Sequence, residues 1–381
     1  MRRKYGGSGF RKGLAAVLAL FMGGSALAEA LPAHDLVPRT PNEDSEVLCG
    51  HDFCFWQMTE GELDEEIVWE VLTQPLTVLE GGQRDQVSVR ARPEKACTDY
   101  VGVVTCASQG VHVLREEGDW TLIEAYSSAE EGSKVAVWAA RFQGYVESKL
   151  LKELPVDDEY GLVIDKLQQR LYVYRKGHLY ATLLCSTGFP REDTPFHETP
   201  AGEYAVVSWV GDFWSDGGLY CARGLRINKG IMIHEVPCVI TVDDSGAEKR
   251  DYSRCERYLG EKASHGCIRV QKEKTPQGVN AEWLWKKLSR KPVTKVIIWD
   301  ELGRKLGYPD EDYPLYYNPR GGKNYHSDPE CLLVKEKYRP LTEFTWGELE
   351  EKPYSGLTPC PGCAPQLRRE GIDTVNEKNT R

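Results

Sequence analysis

The sequence predicts a mainly β protein with one or two helices. Short runs of alternating apolar and polar residues, bounded by Gly and Pro, recur in residues 49–155, for example at 86–93 and 101–106. A second set of such runs fills 161–188, whereas Ala281–Leu288 has its apolar residues at helical spacing. Runs with a period of two that are this short and closely spaced favour small sheets. We therefore expect a small β-barrel followed by a second β domain.

Composition and charge exclude several classes of protein. The chain has 381 residues, of which 41% are hydrophobic and 28% are charged, as in globular proteins of two or three domains. It contains no apolar run of about 18 residues, so it is not a polytopic membrane protein. The net charge of −10 argues against general nucleic-acid binding.

The first 28 residues have the three parts of a secretory signal peptide. A basic head precedes an apolar run at 13–22, and Ala26 and Ala28 form an A-x-A cleavage pattern. A single membrane anchor is the alternative, but the run is short for a span, which needs about 20 apolar residues. We predict cleavage after Ala28, an extracytoplasmic location (secreted or wall-associated) and no stable membrane span afterwards. Residues 29–48, rich in Pro, Asp and Glu, are predicted to be a linker.

Residues 156–300 continue with predicted strands. The segment 161–188 predicts a hairpin and a third strand, 230–236 (GIMIHEV) a short buried strand, and 294–300 (TKVIIWD) a closing strand. Residues 301–381 are rich in Tyr, Pro and Gly. Their apolar content is thin for a core, so this module needs a metal or a disulfide. We expect the polar tail after Arg368 to be disordered.

The segment 263–270 (ASHGCIRV) has the residue types of a thiol active site. Cys267 is a candidate nucleophile, and a thiol nucleophile needs a base to form its thiolate. Gly266 allows a tight turn that exposes backbone N–H groups to an oxyanion. Arg269 offers a planar fork for a carboxylate and faces the same side of an extended chain as Cys267.

A second histidine is expected to act as the base. His234 follows an apolar strand, so a rigid element would aim its ring. His178, in a hairpin turn, and His197, in a Thr/Pro-rich loop, are expected to be solvated. The alternative is that the histidine of the turn is merely hydrogen-bonded and that His234 is a core residue.

The twelve cysteines bear on the same question, since disulfides persist outside the cytoplasm. An odd number in a group suggests a free thiol or a metal ligand. The groups contain four, five and three residues: Cys49, Cys54, Cys97 and Cys106; Cys185, Cys221, Cys238, Cys255 and Cys267; Cys331, Cys360 and Cys363.

Together, IMIHEVP (231–237) and SHGCIRV (264–270) resemble the catalytic signature of the YkuD-type L,D-transpeptidase domain. The resemblance covers roughly 158–300 and implies a YkuD-like β-sandwich. Four further segments agree in order, namely LVIDKLQQRLYVYRKG (162–177), CSTG (185–188), TPAGEYAV (199–206) and KVIIWD (295–300).

The resemblance implies acyl transfer on peptidoglycan stem peptides of the cell wall, with no metal or cofactor in catalysis. Cys267 would attack the carbonyl of the diamino acid at position three of a tetrapeptide, with His234 as base, and D-alanine would leave. A neighbouring amine would then resolve the thioester as a 3→3 cross-link. The alternatives are an L,D-carboxypeptidase, a wall-attaching transferase and a non-catalytic wall-binding protein.

The same resemblance implies roles for four supporting residues. Ser264 would brace the turn, while His265 and Gly266 would shape the oxyanion site. Arg269 would hold a substrate carboxylate or position the loop.

Two features depart from the common family pattern. The interval between His234 and Ser264 is long and contains Cys238 and Cys255, so we expect a flap over the site that a disulfide between them could pin. Glu235 stands where a small residue is common, and we expect its carboxylate to face solvent rather than to raise the pKa of the histidine.

The flanking modules carry weaker resemblances. VSVRARP (87–93), GVHVLREEGDW (110–120) and GYVESKLL (144–151) resemble a bacterial SH3-like domain over 49–155, which implies wall binding or a spacer role. A disulfide between Cys97 and Cys106 could cross-link its first long loop.

The C-terminal module, 301–381, contains a candidate zinc site. A C-x-x-C pair with one further Cys and one His is a plausible tetrahedral set for structural zinc. A disulfide is the alternative, although it would leave one of three cysteines unpaired. The four candidate ligands are His326, Cys331, Cys360 and Cys363.

Overall fold

A computed structural model describes residues 65–289 and 292–379. The predicted signal peptide and linker, together with Cys49 and Cys54, lie outside the described residues. Within them the protein is mainly β, as predicted. No helix in these two ranges is long and apolar enough to cross a membrane.

The N-terminal part consists of one helix, seven strands and a 3₁₀ turn at Ser148–Leu150. Five of the strands form an antiparallel sheet in the order β3-β2-β6-β5-β4, and β1 pairs with β7. A role as an SH3-like domain stays a prediction. The elements are α1 (Glu65–Thr73), β1 (Leu76–Leu79), β2 (Gln86–Arg90), β3 (Tyr100–Thr105), β4 (His112–Glu117), β5 (Trp120–Ser128), β6 (Trp138–Glu147) and β7 (Leu151–Leu154).

The central part contains eleven strands, two helices and a 3₁₀ turn at Pro195–His197. These are β8 (Tyr160–Asp165), β9 (Arg170–Arg175), β10 (His178–Ser186), β11 (Gly202–Ala205), β12 (Ser208–Trp214), β13 (Tyr220–Asn228), β14 (Ile231–Glu235), β15 (Val239–Val242), β16 (Glu248–Asp251), α2 (Ser253–Glu256), β17 (Ile268–Val270), α3 (Ala281–Leu288) and β18 (Lys295–Trp299). The predicted helix, hairpin and closing strand are therefore confirmed. α3 begins where predicted because the Asn280 side chain accepts a hydrogen bond from the Trp283 N–H.

Nine of these strands form one mixed sheet in the order β11-β18-β8-β9-β10-β17-β14-β13-β12. Two neighbouring pairs are parallel, β18 with β8 and β14 with β17. Strands β15 and β16 form a separate exposed hairpin within the long interval after His234. The sheet thus places the strand that ends at Glu235 directly beside the strand that follows Cys267.

Alternate side chains of the sheet pack into two hydrophobic cores, one on each face. On β8, Leu162 and Ile164 lie in a cluster with apolar residues of α3, whereas Val163 lies in a cluster with α1. Burial on both faces explains why this strand is apolar from Leu162 to Ile164. Helix α1, which the predicted boundary assigns to the N-terminal module, therefore packs on the sheet of the next one.

A buried ion pair joins the N-terminal sheet to the edge of the nine-stranded sheet. Glu203 lies 2.8 Å from Lys295 Nζ and 2.7 Å from His112 Nε2, and all three side chains are buried. Burial would raise the pKa of Glu203, but Lys295 and His112 outweigh it and lower the value to about 2. Loss of one partner would leave a buried charge uncompensated, which costs about 3–5 kcal/mol.

The C-terminal part has its own four-stranded sheet, in the order β21-β19-β20-β22. Short 3₁₀ turns lie at Glu336–Tyr338, Trp346–Glu350 and Tyr354–Gly356. The elements are β19 (Pro314–Tyr317), β20 (Asn324–His326), β21 (Thr342–Thr345), β22 (Thr358–Pro359) and α4 (Arg369–Asn379).

Helix α4 corrects the expectation of a disordered tail after Arg368. Its sequence is polar, but Ile372 is buried in the core of the C-terminal part. The Asn376 side chain also bonds both the N–H and the carbonyl of Leu306, at 2.7 and 3.0 Å. These tertiary contacts form the helix despite its weak apolar pattern.

The expected disulfides are absent from the described part of the chain. All ten cysteines there are free thiols, of which eight are buried and two, Cys267 and Cys363, are partly exposed. The predictions of a Cys97–Cys106 and a Cys238–Cys255 disulfide are therefore wrong for this structure.

Candidate active site

The turn that carries Cys267 is closed by its own residues. Gly266 has a φ of +110°, a conformation that residues with a Cβ rarely adopt. The Ser264 hydroxyl donates to the Cys267 carbonyl and accepts the Gly266 N–H at 3.1 Å. Ser264 is thus placed as the predicted brace, and the Gly266 N–H is occupied within the turn.

The loop that contains Thr199 supports this turn through hydrogen bonds. The Thr199 hydroxyl donates to the Gly266 carbonyl and accepts the Gly188 N–H, both at 2.8 Å. The Thr187 carbonyl accepts the N–H groups of Ala263 and Ser264, both at 2.9 Å. Sequence reasoning did not identify Thr199 as a site residue, although it lies in the TPAGEYAV segment that supported the family resemblance.

The register of two parallel strands brings Cys267 and His234 to one face of the sheet. His234 on β14 is paired with Arg269 on β17. Because directly paired residues share a face and side chains alternate along a strand, Cys267 lies on the same face as His234, one diagonal away. No direct hydrogen bond joins the two side chains among the described residues, and catalytic contacts are often longer before substrate binds.

His234 is buried and held in one tautomer. Its Nδ1 lies 2.7 Å from the Glu235 carbonyl, an acceptor, so Nδ1 carries the proton and Nε2 is left as the basic nitrogen. Burial lowers the pKa of His234 to about 4, with Arg269 adding to the effect. The imidazole is therefore neutral at neutral pH and able to accept a proton.

Cys267 is half-buried, with Sγ 3.7 Å from the Gly230 carbonyl. Burial raises the pKa of this thiol, although the Met232 N–H and the positive charges of Arg269 and Arg226 oppose the change. The resting site thus holds a neutral thiol beside a neutral imidazole. The thiolate would form as the proton moves during attack.

Arg269 and Glu235 both stabilise loops in this structure. The Arg269 guanidinium donates to the Ala263 carbonyl at 3.1 Å, which is the loop-positioning alternative of its predicted roles. Glu235 does not simply face solvent, since its carboxylate accepts a hydrogen bond from Tyr252 at 2.9 Å. Tyr252 lies just after β16, so this bond ties the inserted hairpin to the strand that carries His234.

His265 is exposed and stacks on His197, with ring centroids 4.3 Å apart and planes 12° apart. His197 contacts Phe196 edge-on at 4.9 Å, and Phe196 contacts Trp138 at 6.0 Å. A row of aromatic rings therefore runs from β6 of the N-terminal sheet to the active-site turn. His197 is half-buried, which corrects the expectation that it is solvated.

Buried ion pairs position the chain just before the turn. Lys166 Nζ lies 3.1 Å from Glu198, 3.2 Å from Asp300 and 2.9 Å from Glu301. Lys262 also binds Glu198 and Glu301. Burial would lower the pKa of Lys166, but the three carboxylates raise it well above its usual value. Glu198 directly precedes Thr199, and Lys262 directly precedes Ala263. The network therefore fixes the positions of these two site segments relative to each other.

A cleft of about 320 Å³ opens beside the turn, between the N-terminal and nine-stranded sheets. Gly230, whose carbonyl contacts the Cys267 sulfur, lies on its wall. The charged residues of the lining are mainly acidic: Glu130, Glu131, Glu198 and Asp216 against Lys229.

The four predicted metal ligands come together in the C-terminal part, away from this cleft. The ligand atoms of His326, Cys331, Cys360 and Cys363 all lie within 4.8 Å of one another.

Comparison with protein families matches residues 159–298 to the YkuD model, described as the L,D-transpeptidase catalytic domain. The chain carries a YkuD domain. The matched residues lie inside 156–300, the range given above for the second β domain. It includes Cys267, His234 and the turn between Ser264 and Cys267.

Three solved structures to which the chain is similar are described as L,D-transpeptidases. The one from Xylanimonas cellulosilytica DSM 15894 is 19% identical, with a TM-score of 0.25, over 38% of this chain and 64% of that chain. The one from Stackebrandtia nassauensis is 15% identical, with a TM-score of 0.25, over 38% and 57%. An L,D-transpeptidase from Mycobacterium tuberculosis H37Rv is 15% identical, with a TM-score of 0.29, over 60% and 92%.

The chain thus spans less than two thirds of the first two structures. No curated protein matches the chain. The YkuD assignment accordingly depends on the family match.

Proposed function

We propose that the chain is an extracytoplasmic L,D-transpeptidase that forms 3→3 cross-links between peptidoglycan stem peptides through a thioester on Cys267. The observation that carries the proposal is the common face of β14 and β17. There, His234 Nδ1 lies 2.7 Å from the Glu235 carbonyl, which leaves Nε2 as the basic nitrogen, and β14 pairs with the strand that directly follows Cys267.

The acylation step follows from the protonation states. As Cys267 Sγ attacks the carbonyl of the third residue of a donor tetrapeptide, its proton passes to His234 Nε2. The tetrahedral intermediate collapses with cleavage of the C–N bond, and the departing D-alanine amine takes the proton from His234. The product is a thioester between Cys267 and the shortened donor.

The second step reverses the proton movements. An acceptor amine attacks the thioester carbonyl and gives a proton to His234, and the Cys267 thiolate leaves and is reprotonated. A new amide joins the two stems, and no oxidant, reductant or metal takes part. Water as the nucleophile would give a free tripeptide instead.

The cleft suits an amine acceptor. Glu131 and Asp216, on its wall, form no ion pair among the described residues. An amine is mostly protonated in water at neutral pH, and carboxylates concentrate cations near their surface. We infer that the acceptor stem enters along this acidic wall.

The test is incubation of the leaderless chain with a disaccharide tetrapeptide, followed by mass spectrometry of the products. We expect a cross-linked dimer, released D-alanine and an acyl adduct on Cys267 in the intact protein. Cys267→Ala should give none of these. Cys106→Ala, which removes a buried thiol of the N-terminal sheet, should react like the parent chain.

Other outcomes contradict the proposal in distinct ways. Tripeptide without dimer would show an L,D-carboxypeptidase. Turnover by the Cys267→Ala variant would exclude the thioester, and absence of any adduct or product with the folded parent chain would exclude the enzyme.

A further inference from the structure

Three thiols and one imidazole converge in the C-terminal part, at residues that the proposed reaction does not use. His326 ends β20, Cys331 lies in the following loop, and Cys360 and Cys363 flank a tight turn after β22. Cys331 and Cys360 are 1% exposed and His326 is 5% exposed. Three thiols and one imidazole from three separate segments, three of them buried and Cys363 partly exposed, have the residue types of a structural zinc site.

The distances fit zinc. Cys331 Sγ and Cys360 Sγ are 3.7 Å apart, and Cys363 Sγ is 3.6 Å from His326 Nδ1. A tetrahedral ion with Zn–S near 2.3 Å and Zn–N near 2.05 Å places two sulfurs about 3.8 Å apart, and a sulfur and a nitrogen about 3.6 Å apart. A disulfide needs about 2.05 Å between sulfurs, so neither of these contacts is one.

The surrounding backbone holds the cluster in this form. The Gly362 N–H donates to Cys360 Sγ at 3.4 Å, and the Ser327 hydroxyl donates to the Cys363 carbonyl at 2.7 Å. A Cβ at Gly362 would come within 2.8 Å of the Leu333 side chain, so a larger residue there would displace this leucine.

We propose that His326, Cys331, Cys360 and Cys363 bind one structural zinc ion. All four coordination positions are filled by the protein, which is the arrangement of a structural rather than a catalytic site. Binding displaces the three thiol protons, and the neutral imidazole completes the shell. The ion joins the loop after β20 to the turn after β22, in a module whose own apolar core is small.

The zinc turn also touches the YkuD domain. The Gln271 side chain, next after β17, donates to the Gly362 carbonyl at 3.5 Å and accepts the Leu184 N–H at 2.7 Å. The metal would therefore fix the turn that rests on the strand following Cys267. Zinc binding is nonetheless independent of the transpeptidase proposal, and its test does not depend on activity.

The test is the metal content of the leaderless chain, purified without a metal-chelating tag and measured by elemental mass spectrometry. We expect about one zinc per chain, as for a single four-ligand site. Cys360→Ser and His326→Ala should lose most of it. Two controls should keep it, namely Cys267→Ser, which removes the proposed nucleophile, and His178→Ala, which removes an exposed histidine.

A second measurement keeps the proposal testable if the ligand variants fail to fold. The parent chain, stripped of zinc by a chelator and reloaded with cobalt, should show the absorption of tetrahedral cobalt with thiolate ligands. Cys363→His, which keeps four ligands, should still bind one ion. A folded parent chain without metal, with Cys331 and Cys360 in a disulfide on non-reducing peptide mapping, would overturn the proposal. Zinc that survives in folded Cys360→Ser at full content would do the same.

Discussion

The rings of His197 and His265 stack with their centroids 4.3 Å apart, although the two residues come from different loops. Both pKa values are lowered, first by burial, and each ring also faces the positive charge of Arg191. Two neutral rings can stack, whereas two protonated rings would repel each other. The contact therefore helps to hold the active-site turn in place under neutral conditions.

Replacement of His197 by Ala should weaken the turn without touching the proposed nucleophile. An aromatic pair contributes about 0.5–1.5 kcal/mol beyond the area that it buries. We expect the free energy of unfolding to fall by about that amount and kcat for cross-linking to fall about threefold to tenfold, as for a barrier raised by similar energy. His178→Ala is the matched control, since its side chain is 83% exposed. Equal kcat values in the two variants would show that the stack does not support the site.

The hydroxyl of Thr199 should be needed for turn geometry. Thr199→Val keeps the shape of the side chain but leaves the Gly188 N–H and the Gly266 carbonyl without their partner. Buried groups left unsatisfied cost about 1–3 kcal/mol, so we expect a loss of that size in chemical denaturation, with a clear drop in thioester formation. Thr199→Ser retains the hydroxyl and should recover most of both. Failure of the serine variant to recover either would assign the effect to the lost methyl group.

Gly266 should tolerate no side chain, for conformational reasons. A Cβ there would meet its nearest neighbour at an ordinary 3.7 Å, so space is not the obstacle. Its φ of +110° is the obstacle, and residues forced into such regions cost about 1–3 kcal/mol. Gly266→Ala should therefore lose cross-linking activity as the turn shifts. Gly303→Ala, which has a φ of +77° and open space far along the chain, should lose stability while keeping its activity per folded molecule.

The sequence predicted the parts of the site that local pattern or a short motif encodes. Cys267 and Ser264 lie in one motif, and His234 follows an apolar strand, so each carried a visible signal. The hairpin of β8 and β9 was predicted from the alternation of its apolar residues. Helix α3 was predicted from the helical spacing of the apolar residues that follow Asn280.

The parts that the sequence did not predict depend on distant contacts. His197 lies in a loop without periodicity, and its stacking partner is far along the chain, so nothing local distinguishes it from a solvated histidine. Helix α4 has a single buried residue, Ile372, and forms through bonds that Asn376 makes to Leu306. Glu235 likewise meets Tyr252 only because the inserted hairpin folds back.

Stability should fall in acid because of His234. Burial lowers its pKa in the folded protein to about 4, below the usual value of 6.5, so the unfolded chain takes up the proton first as the pH falls. The stability present above pH 6.5 is then lost towards pH 4. A shift of this size corresponds to about 3 kcal/mol.

The difference between the parent chain and His234→Gln isolates this contribution, since both share the titration of the carboxylates. Urea unfolding at several pH values between 7.5 and 4 should show the parent losing about 3 kcal/mol more than the variant. Parallel curves would mean that His234 is not buried in the neutral form. The variant should also be inactive in cross-linking at every pH, because Gln cannot accept the thiol proton.

Gln271 should couple the C-terminal part to the YkuD domain. It is fully buried, and its side chain accepts the Leu184 N–H while donating to the carbonyls of Glu273 and Gly362. Gln271→Ala leaves the buried Leu184 N–H of β10 without its acceptor. We therefore expect the free energy of unfolding to fall by about 1–3 kcal/mol. Gln277→Ala, at an exposed position of the next loop, should leave stability unchanged. Because Gln271 binds the turn and not the ion, its loss should leave the zinc content at the parental level. A loss of zinc in the folded variant would instead show that the contact with β10 and β17 is needed to assemble the four ligands.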